Sequence, residues 1–561
     1  MTRLLSKGQA DLLRLLAQMP LLDRLEMAAL AGRSRGGVYE SAARLEDAGL
    51  IDSVPHGTPL LAPTRRYYVT EQGVKALAVT EVQPVGWLLR EYPLSLRWRR
   101  TLLERLDAAA VIYRLASALA GLGHSVGFRW RRALPQDATL TLSDGRVLAI
   151  IRQGATAERA GFAKRLWRLA QGPRPGAVLV MVPDEVRLRQ AVVLLRDART
   201  RTAPVPAFFA LERHVAVAGS GDAIWRSSAG VTLSLAEAVG RANPGGMTAA
   251  EPPLVRVSIP KDIDLGGGGE NVPDHLLPVL LRPAEKRALD LLADWPGLTR
   301  EDLAGILDAS KPRASQLTAA LERLGLVTAF QLDARRLALT DRGLKLLARP
   351  DRVSTGEARQ RWSVGADGGG DNGAAGDRPS VSGRRSRQLL RDLEHTAAVH
   401  RFVAALNRQA RGLGWTVEQL DPPHRASRYF RHYGRPRSLH PDAFGTLRRN
   451  DLLSPFFLEY ERRAVRPATM AQRLAPYLRY YSSHRPADDH GHRPLVLVVF
   501  DDPVAPTHFL EVARREMLRV RVPLPLLASH RELVEREGPL GPAWLAPGGD
   551  FQPVEPLHHY E

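Results

Sequence analysis

The chain of 561 residues contains no cysteine. That excludes disulfides, cysteine-ligated zinc and a thiol nucleophile. Long apolar runs are also missing. The longest, such as 177–182 and 495–500, have strand length and are far too short to span a bilayer. The first residues, Met1-Thr2-Arg3-Leu4-Leu5-Ser6-Lys7, lack the apolar core and small-residue cleavage site of a signal peptide. These features predict a cytoplasmic protein without a membrane partner. Lysine is scarce as well, with seven residues against 79 Lys and Arg together. The net charge of +19 therefore rests on arginine and points to a polyanionic partner, nucleic acid first. An arginine skew with abundant Ala, Gly, Leu and Pro is also what a GC-rich coding sequence produces, so charge alone does not decide.

The length predicts about three to five domains. Residues 5–80 read as helix, helix-turn-helix and hairpin. Apolar Leu12, Leu13, Leu15 and Leu16 pattern a helix over 7–18, and a second helix covers 25–31. Ser34 is placed to cap a third, carrying Val38, Ala42 and Leu45 on one face. Gly49 ends it, and Arg65-Arg66-Tyr67-Tyr68-Val69-Thr70 returns as a strand after a Pro/Gly turn. This order resembles a winged-helix domain. Residues 100–232 alternate: a long helix over 102–122, strands at 126–130, 139–142 and 147–152, a helix over 157–170, and a strand at 177–182. That is a mixed α/β domain. Residues 240–278, with four glycines at 266–269, read as a linker.

The pattern then recurs. Residues 281–348 repeat the helices and the shorter hairpin, and "ARRLALTDRGLKLLA" stands against "TRRYYVTEQGVKALA". Residues 349–385 are Gly-rich and polar, which predicts a disordered linker. Residues 386–547 repeat the α/β order: "LPQDATLTL" matches "HPDAFGTLR", "GFAKRLWRL" matches "TMAQRLAPYL" and "AVLVMV" matches "LVLVVF". The expectation is a tandem duplication: two winged-helix domains alternating with two restriction-endonuclease-like mixed α/β domains.

In a winged helix the N-terminal residues of the third helix face the bases. Here those are Arg33, Ser34, Arg35 and Tyr39, and Ser310, Lys311, Arg313, Ser315 and Gln316. Arg65, Arg66, Arg335 and Arg336 sit in the wings, where phosphate or the minor groove would be read. The stretch 425–437 interleaves aromatics with arginine in what reads as a loop, a mixture suited to phosphate contact and base stacking. Asp488-Asp489-His490-Gly491-His492 reads as a surface loop.

Pro441-Asp442 followed by Phe456-Phe457-Leu458-Glu459-Tyr460-Glu461 resembles the PD-(D/E)xK nuclease pattern. Two carboxylates there hold Mg²⁺, which activates water against the phosphodiester. The ligands would be Asp442 and Glu459. Glu461 stands where the pattern has lysine, on the same side of the strand because strand period is two. Asp442, Glu459 and Glu461 are the candidate catalytic residues, with His440 and Tyr460 as candidate helpers. In the earlier copy only Asp137 keeps an acid, with Ile150, Ile151 and Arg152 set against residues 459–461.

"LEHTAAVHRFVAAL … HPDAFGTL … FFLEYERRAVRPATMAQRLAPYLRYY" after a winged helix resembles the replication-relaxation family. The resemblance covers residues 281–530 best. It implies a DNA-binding protein of a plasmid or mobile element, acting in replication, relaxation or transfer. Double-stranded DNA and a relaxase or other transfer proteins would be its partners. The family's acid-x-Asp-Arg-Gly-Thr phrase stands here as Glu459-Tyr460-Glu461-Arg462-Arg463-Ala464, without Gly-Thr. The alternatives are a Mg²⁺-dependent endonuclease or nickase and a winged-helix transcriptional regulator. No cofactor is expected unless the acids hold Mg²⁺.

Overall fold

The computed structural model describes residues 5–198, 205–265, 272–331, 333–362, 392–461, 467–548 and 553–557. The glycines at 266–269, residues 462–464 and most of the Gly-rich stretch 349–385 lie outside them. The architecture is mixed α/β and multidomain. The chain divides into two compact units, Met1–Arg287 with Arg342–Ala358, and Ala288–Asp341 with Arg359–Glu561.

In the first unit, helices Lys7–Gln18, Arg24–Ala31 and Arg35–Asp47 precede a hairpin of β1 (Ile51–His56) and β2 (Thr64–Val69). Each helix starts on a side-chain cap: Ser6, Asp23 and Ser34 accept from Gln9, Glu26 and Gly37 backbone amides. Gly32 ends the second helix in the left-handed region, with a φ of 60°. That is the usual role of glycine just past a helix end. Leu12, Leu13, Leu16, Met27, Val38, Ala42 and Leu45 bury the shared face.

A seven-stranded sheet follows, in the order β3 (Val126–Trp130), β4 (Ala138–Leu142), β5 (Val147–Arg152), β6 (Ala177–Val182), β7 (Ala207–Leu211), β8 (Trp225–Ser227) and β9 (Thr232–Leu233). β3 to β5 are antiparallel and β5 to β7 parallel. Parallel neighbours require crossovers, supplied by helices Arg159–Gln171 and Glu185–Ala198. β6 is buried throughout, as expected of a strand covered on both faces.

The long helix expected over 102–122 is instead two, Leu96–Glu104 and Leu106–Ala120, broken at Arg105 with φ −111° and ψ 16°. No Gly or Pro marks the break. The two pieces share Leu277–Leu280 as a neighbour and otherwise serve different ones. The first packs on Asp274–Leu276 and Leu277–Leu280, the second on Arg24–Ala31 and β3.

The second unit carries helices Arg300–Leu307 and Lys311–Arg323 and a small sheet of β10 (Leu298–Thr299), β11 (Val327–Gln331) and β12 (Arg335–Leu339), in the order β10-β12-β11. Its larger sheet, β13-β16-β17-β18-β19, comprises β13 (Thr416–Asp421), β16 (Ala443–Arg449), β17 (Leu452–Glu461), β18 (Leu495–Phe500) and β19 (Leu526–His530). β13, β16 and β17 are antiparallel, and β17 to β19 parallel. Between β13 and β16 stands a separate hairpin of β14 (Arg428–His432) and β15 (Arg435–Leu439). The expected Arg/aromatic loop is therefore a structured element.

Local hydrogen bonds recur within each unit. Thr70 N donates to Leu50 O at 3.1 Å and Thr340 N to Leu326 O at 3.0 Å. Their hydroxyls reach Gly49 O and Gly325 O at 2.7 and 2.6 Å. Leu21 N bonds Tyr67 O, and Gly297 N bonds Leu337 O. Leu21 and Gly297 both have positive φ, 71° and 85°. The first unit thus holds leucine in a conformation that favours glycine.

Two wing arginines depart from expectation. Arg66 is fully buried: Nη1 donates to Glu26 Oε2 and to Leu21 O, both at 2.9 Å, and Nε to His56 Nδ1 at 3.0 Å. Arg336 is equally hidden, bonded to Gly297 O and paired with Asp333. A guanidinium enclosed this way cannot reach phosphate, so both are removed from the nucleic-acid contacts. Neighbouring strand residues face opposite sides, and it is Arg65 and Arg335 that face solvent. Removing one partner of a buried ion pair leaves an uncompensated charge. Arg66→Ala is expected to cost about 3–5 kcal/mol. Glu26→Leu combined with Arg66→Met should recover most of that loss, as measured by urea denaturation of the full chain.

Candidate functional site

The site grows from the entry to β16. Asp442 N donates to Leu458 O at 2.9 Å, and its carboxylate Oδ2 accepts the Tyr460 amide at 2.8 Å. The acid is thus bonded on both sides of Glu459. Its other oxygen lies 2.9 Å from His395 Nε2, on the helix Leu393–Gly412. Burial works against a charged His395. The hydrogen bond and charge of Asp442 outweigh it and hold the ring above the ordinary histidine range.

Glu459 and Glu461 lie two apart on β17, facing the same side. They line one cavity of about 290 Å³, with Ser438, His440, Arg473 and Tyr477. Glu459 Oε1 accepts from Tyr477 Oη at 2.6 Å. Burial, and then the charge of Asp442, push the Glu459 carboxyl up to about 8. Glu461 is paired with Arg473. Asp442 and His395 line a different cavity of about 460 Å³, and His440 borders both. Tyr460, buried, touches His395 edge-on, with ring centroids 6.2 Å apart.

Each of these carboxylates has a protein partner: Asp442 has His395 and the Tyr460 amide, Glu459 has Tyr477, and Glu461 has Arg473. Among the described residues no group of three or more His, Asp or Glu side chains is arranged to hold a metal ion. The nearby acids of the 488–492 stretch bring no free ligand in Asp489. On the short helix Arg485–His490, it is buried and bonded to Tyr480 Oη at 2.8 Å, and so departs from the expected surface loop, whereas Asp488, Gly491 and His492 are exposed.

The first unit repeats the anchor. Asp137 N donates to Ile150 O at 2.8 Å, and its Oδ2 accepts Arg152 N at 2.7 Å. These bonds set Ile151 against Glu459 and Gln153 against Glu461, one residue along from the register read in the sequence. Ile151 and Leu169 belong to one apolar cluster, where the second unit has the Glu459–Tyr477 pair.

The rest of this first site is filled. Asp351 bonds Arg152 Nη1 at 2.6 Å and Thr156 N at 2.7 Å. Arg352, at φ 59°, reaches Asp137 Oδ1 at 3.2 Å and the carbonyls of Gln136 and Leu134 at 2.9 and 2.6 Å. Burial raises the Asp137 pKa, but Arg165 and Arg352 more than offset it and hold the carboxyl down to about 2. A Cβ on Gly154 would overlap the Asp351 carboxylate, so only glycine leaves room for this acid. Nothing in the sequence pattern marks 351–352 as part of this site.

At the helices, Ser34 and Ser310 act as N-caps, accepting from Gly37 and Arg313 amides at 3.3 and 3.4 Å. Arg33, Arg35, Arg313, Ser315 and Gln316 are exposed. Arg33 also donates to Gly8 O at 3.0 Å. Lys311 is exposed and pairs with Glu301 at 2.8 Å. Tyr39 is half-buried under Arg24, whose guanidinium lies 5.4 Å from its ring centroid. Arg65 and Arg335 are exposed and pair with Glu46 and Glu322 at 2.9 and 3.2 Å.

The raised Glu459 fixes the sign of a pH dependence. A carboxyl at about 8 when folded and about 4.5 when unfolded binds its proton more tightly in the folded chain. Its stabilisation is complete below about 4.5 and is lost as pH rises through about 8. Urea denaturation should show the wild type weaker at pH 9 than at pH 6. Glu459→Gln, which stays neutral, should lose that fall.

Comparison with known proteins gives one finding. A family model described as Replication-relaxation matches residues 289–496. No curated protein and no solved structure matches. The matched span includes helices Arg300–Leu307 and Lys311–Arg323, Asp442, Glu459 and Glu461.

Proposed function

We propose that this chain is a DNA-binding protein serving replication or relaxation of a plasmid or other mobile element. In this reading 5–80 and 281–348 are winged helices that dock on duplex DNA. The blocks 100–232 and 386–547 are two copies of a restriction-endonuclease-like domain that no longer cut. The carrying observation is the double occurrence of a capped third helix with basic and polar side chains exposed at its N-terminal end: Arg33, just before the cap, and Arg35, then Lys311, Arg313, Ser315 and Gln316 on the first two turns. A helix N-terminus with such side chains suits phosphate oxygens and base edges in the major groove. The family match over 289–496 and the net charge of +19 support the same reading.

Both α/β blocks run helix, three antiparallel strands, helix and parallel strand, an order that supports the nuclease-like reading. Their acids are bound up in protein contacts, which favours binding over cleavage. Supercoiled plasmid with Mg²⁺ or Mn²⁺ should therefore stay intact. Nicking that disappears in Asp442→Ala would overturn this.

Duplex affinity should fall steeply with salt. Arg33→Ala with Arg35→Ala, and separately Lys311→Ala with Arg313→Ala, should weaken binding. Each lost phosphate contact should reduce the salt slope by about one. A wild-type chain with no duplex affinity at low salt would refute the reading.

A further inference from the structure

The hairpin β14–β15 has no counterpart in the first unit. There the chain passes from β3 to β4 through 131–137 without a strand. The sheet closes without the hairpin, so the core does not require it, and added surface elements of this kind commonly carry function.

It is nevertheless firmly built. Arg428 is buried, its guanidinium 4.6 Å from the Phe444 ring centroid, and Nη1 donates to the carbonyls of Arg425 and Ala426 at 2.8 and 2.7 Å. Phe430 and Leu439 are buried beside it, Phe430 against Tyr480 at 5.3 Å. The turn is Tyr433-Gly434, with φ 47° and 73°. That is the left-handed pair of a two-residue hairpin. A tyrosine in that region is strained where Asn or Gly would not be. It is 94% exposed, its ring stacked on His432 at 4.3 Å.

On the opposite face Tyr429 is 61% exposed and Arg431 faces solvent; Arg435 and Arg437 are exposed on the face of His432 and Phe430, the residues they pair with. The segment 422–441 contains no Asp or Glu. Arg479 adds further positive charge; burial and the charge of Arg437 both lower its pKa. The base of the hairpin, Ser438 to His440, walls the cavity that holds Glu459.

We propose that this hairpin is a binding platform for single-stranded DNA, with Tyr429 and Tyr433 stacking on bases and Arg431, Arg435 and Arg437 holding the backbone. Charge complementarity selects a polyanion. The exposed rings select one with unstacked bases, because a duplex offers base edges and no free base face. The site differs from the helix residues assigned to duplex docking and reads out on a different oligonucleotide.

The test is fluorescence anisotropy of the full chain with an oligothymidylate of about 16 nucleotides and with a duplex of equal length. Tyr429→Ala and Tyr433→Ala should each weaken single-strand binding about tenfold. Duplex binding should stay unchanged, and Tyr433→Phe should retain wild-type affinity. The proposal is overturned if the wild type does not bind the single strand, if the alanine variants bind it as well as wild type, or if both oligonucleotides lose affinity equally. Loss of duplex binding in the helix variants alone bears only on the duplex reading.

Discussion

Both α/β blocks depend on one contact, an aspartate carboxylate accepting a backbone amide from the end of the neighbouring strand. Asp442 takes the Tyr460 amide and Asp137 the Arg152 amide, at 2.8 and 2.7 Å. The same aspartates donate their own amides two residues earlier on that strand. An acid held at both ends cannot slide, and a slip of one residue would turn the strand's side chains to the other face. This fixes Asp442 beside Glu459, so that the charge of one raises the pKa of the other. It also gives the aspartate of both blocks a structural task, that of a strand-end clamp.

The two blocks then use the clamp differently. In the first, guanidinium groups from Arg165 and Arg352 neutralise Asp137, and the space opposite holds Ile151 and Leu169. In the second, His395 meets the acid and the apolar pair gives way to Glu459 and Tyr477. A carboxyl and a phenol in an otherwise apolar position are tolerated because they satisfy one another and because the carboxyl can stay protonated. The difference sits on matching positions of strand and helix, and each half makes physical sense only with its partner.

Much of this was legible in the sequence. Two helix starts carry Ser34 and Ser310, and the parallel strands read as short apolar runs, because capping and burial are written in neighbouring residues. What failed needed tertiary information. Arg66 and Arg336 look like wing arginines beside Arg65 and Arg335, yet alternation buries one of each pair. The break at Arg105 has no Gly or Pro because it answers to two different packing partners. The hairpin at 428–439 hid because its alternation is arginine against aromatic, which reads as polar loop. Among the candidate site acids, the positions were visible but their partners were not: Tyr477, His395 and Arg473 lie on helices with no spacing motif to join them to the acids.

Asp351 reaches the first site as part of the same chain, so the site meets this carboxylate at an effective concentration set by the tether. A diffusing anion of equal intrinsic affinity competes poorly with it. Because Gly154 leaves the room of a side chain to that acid, a larger residue there must displace it and leave Arg152 with Glu212 alone. The space beside Arg152 and Asp137 is filled from within the chain and closed to exchange by chain connectivity.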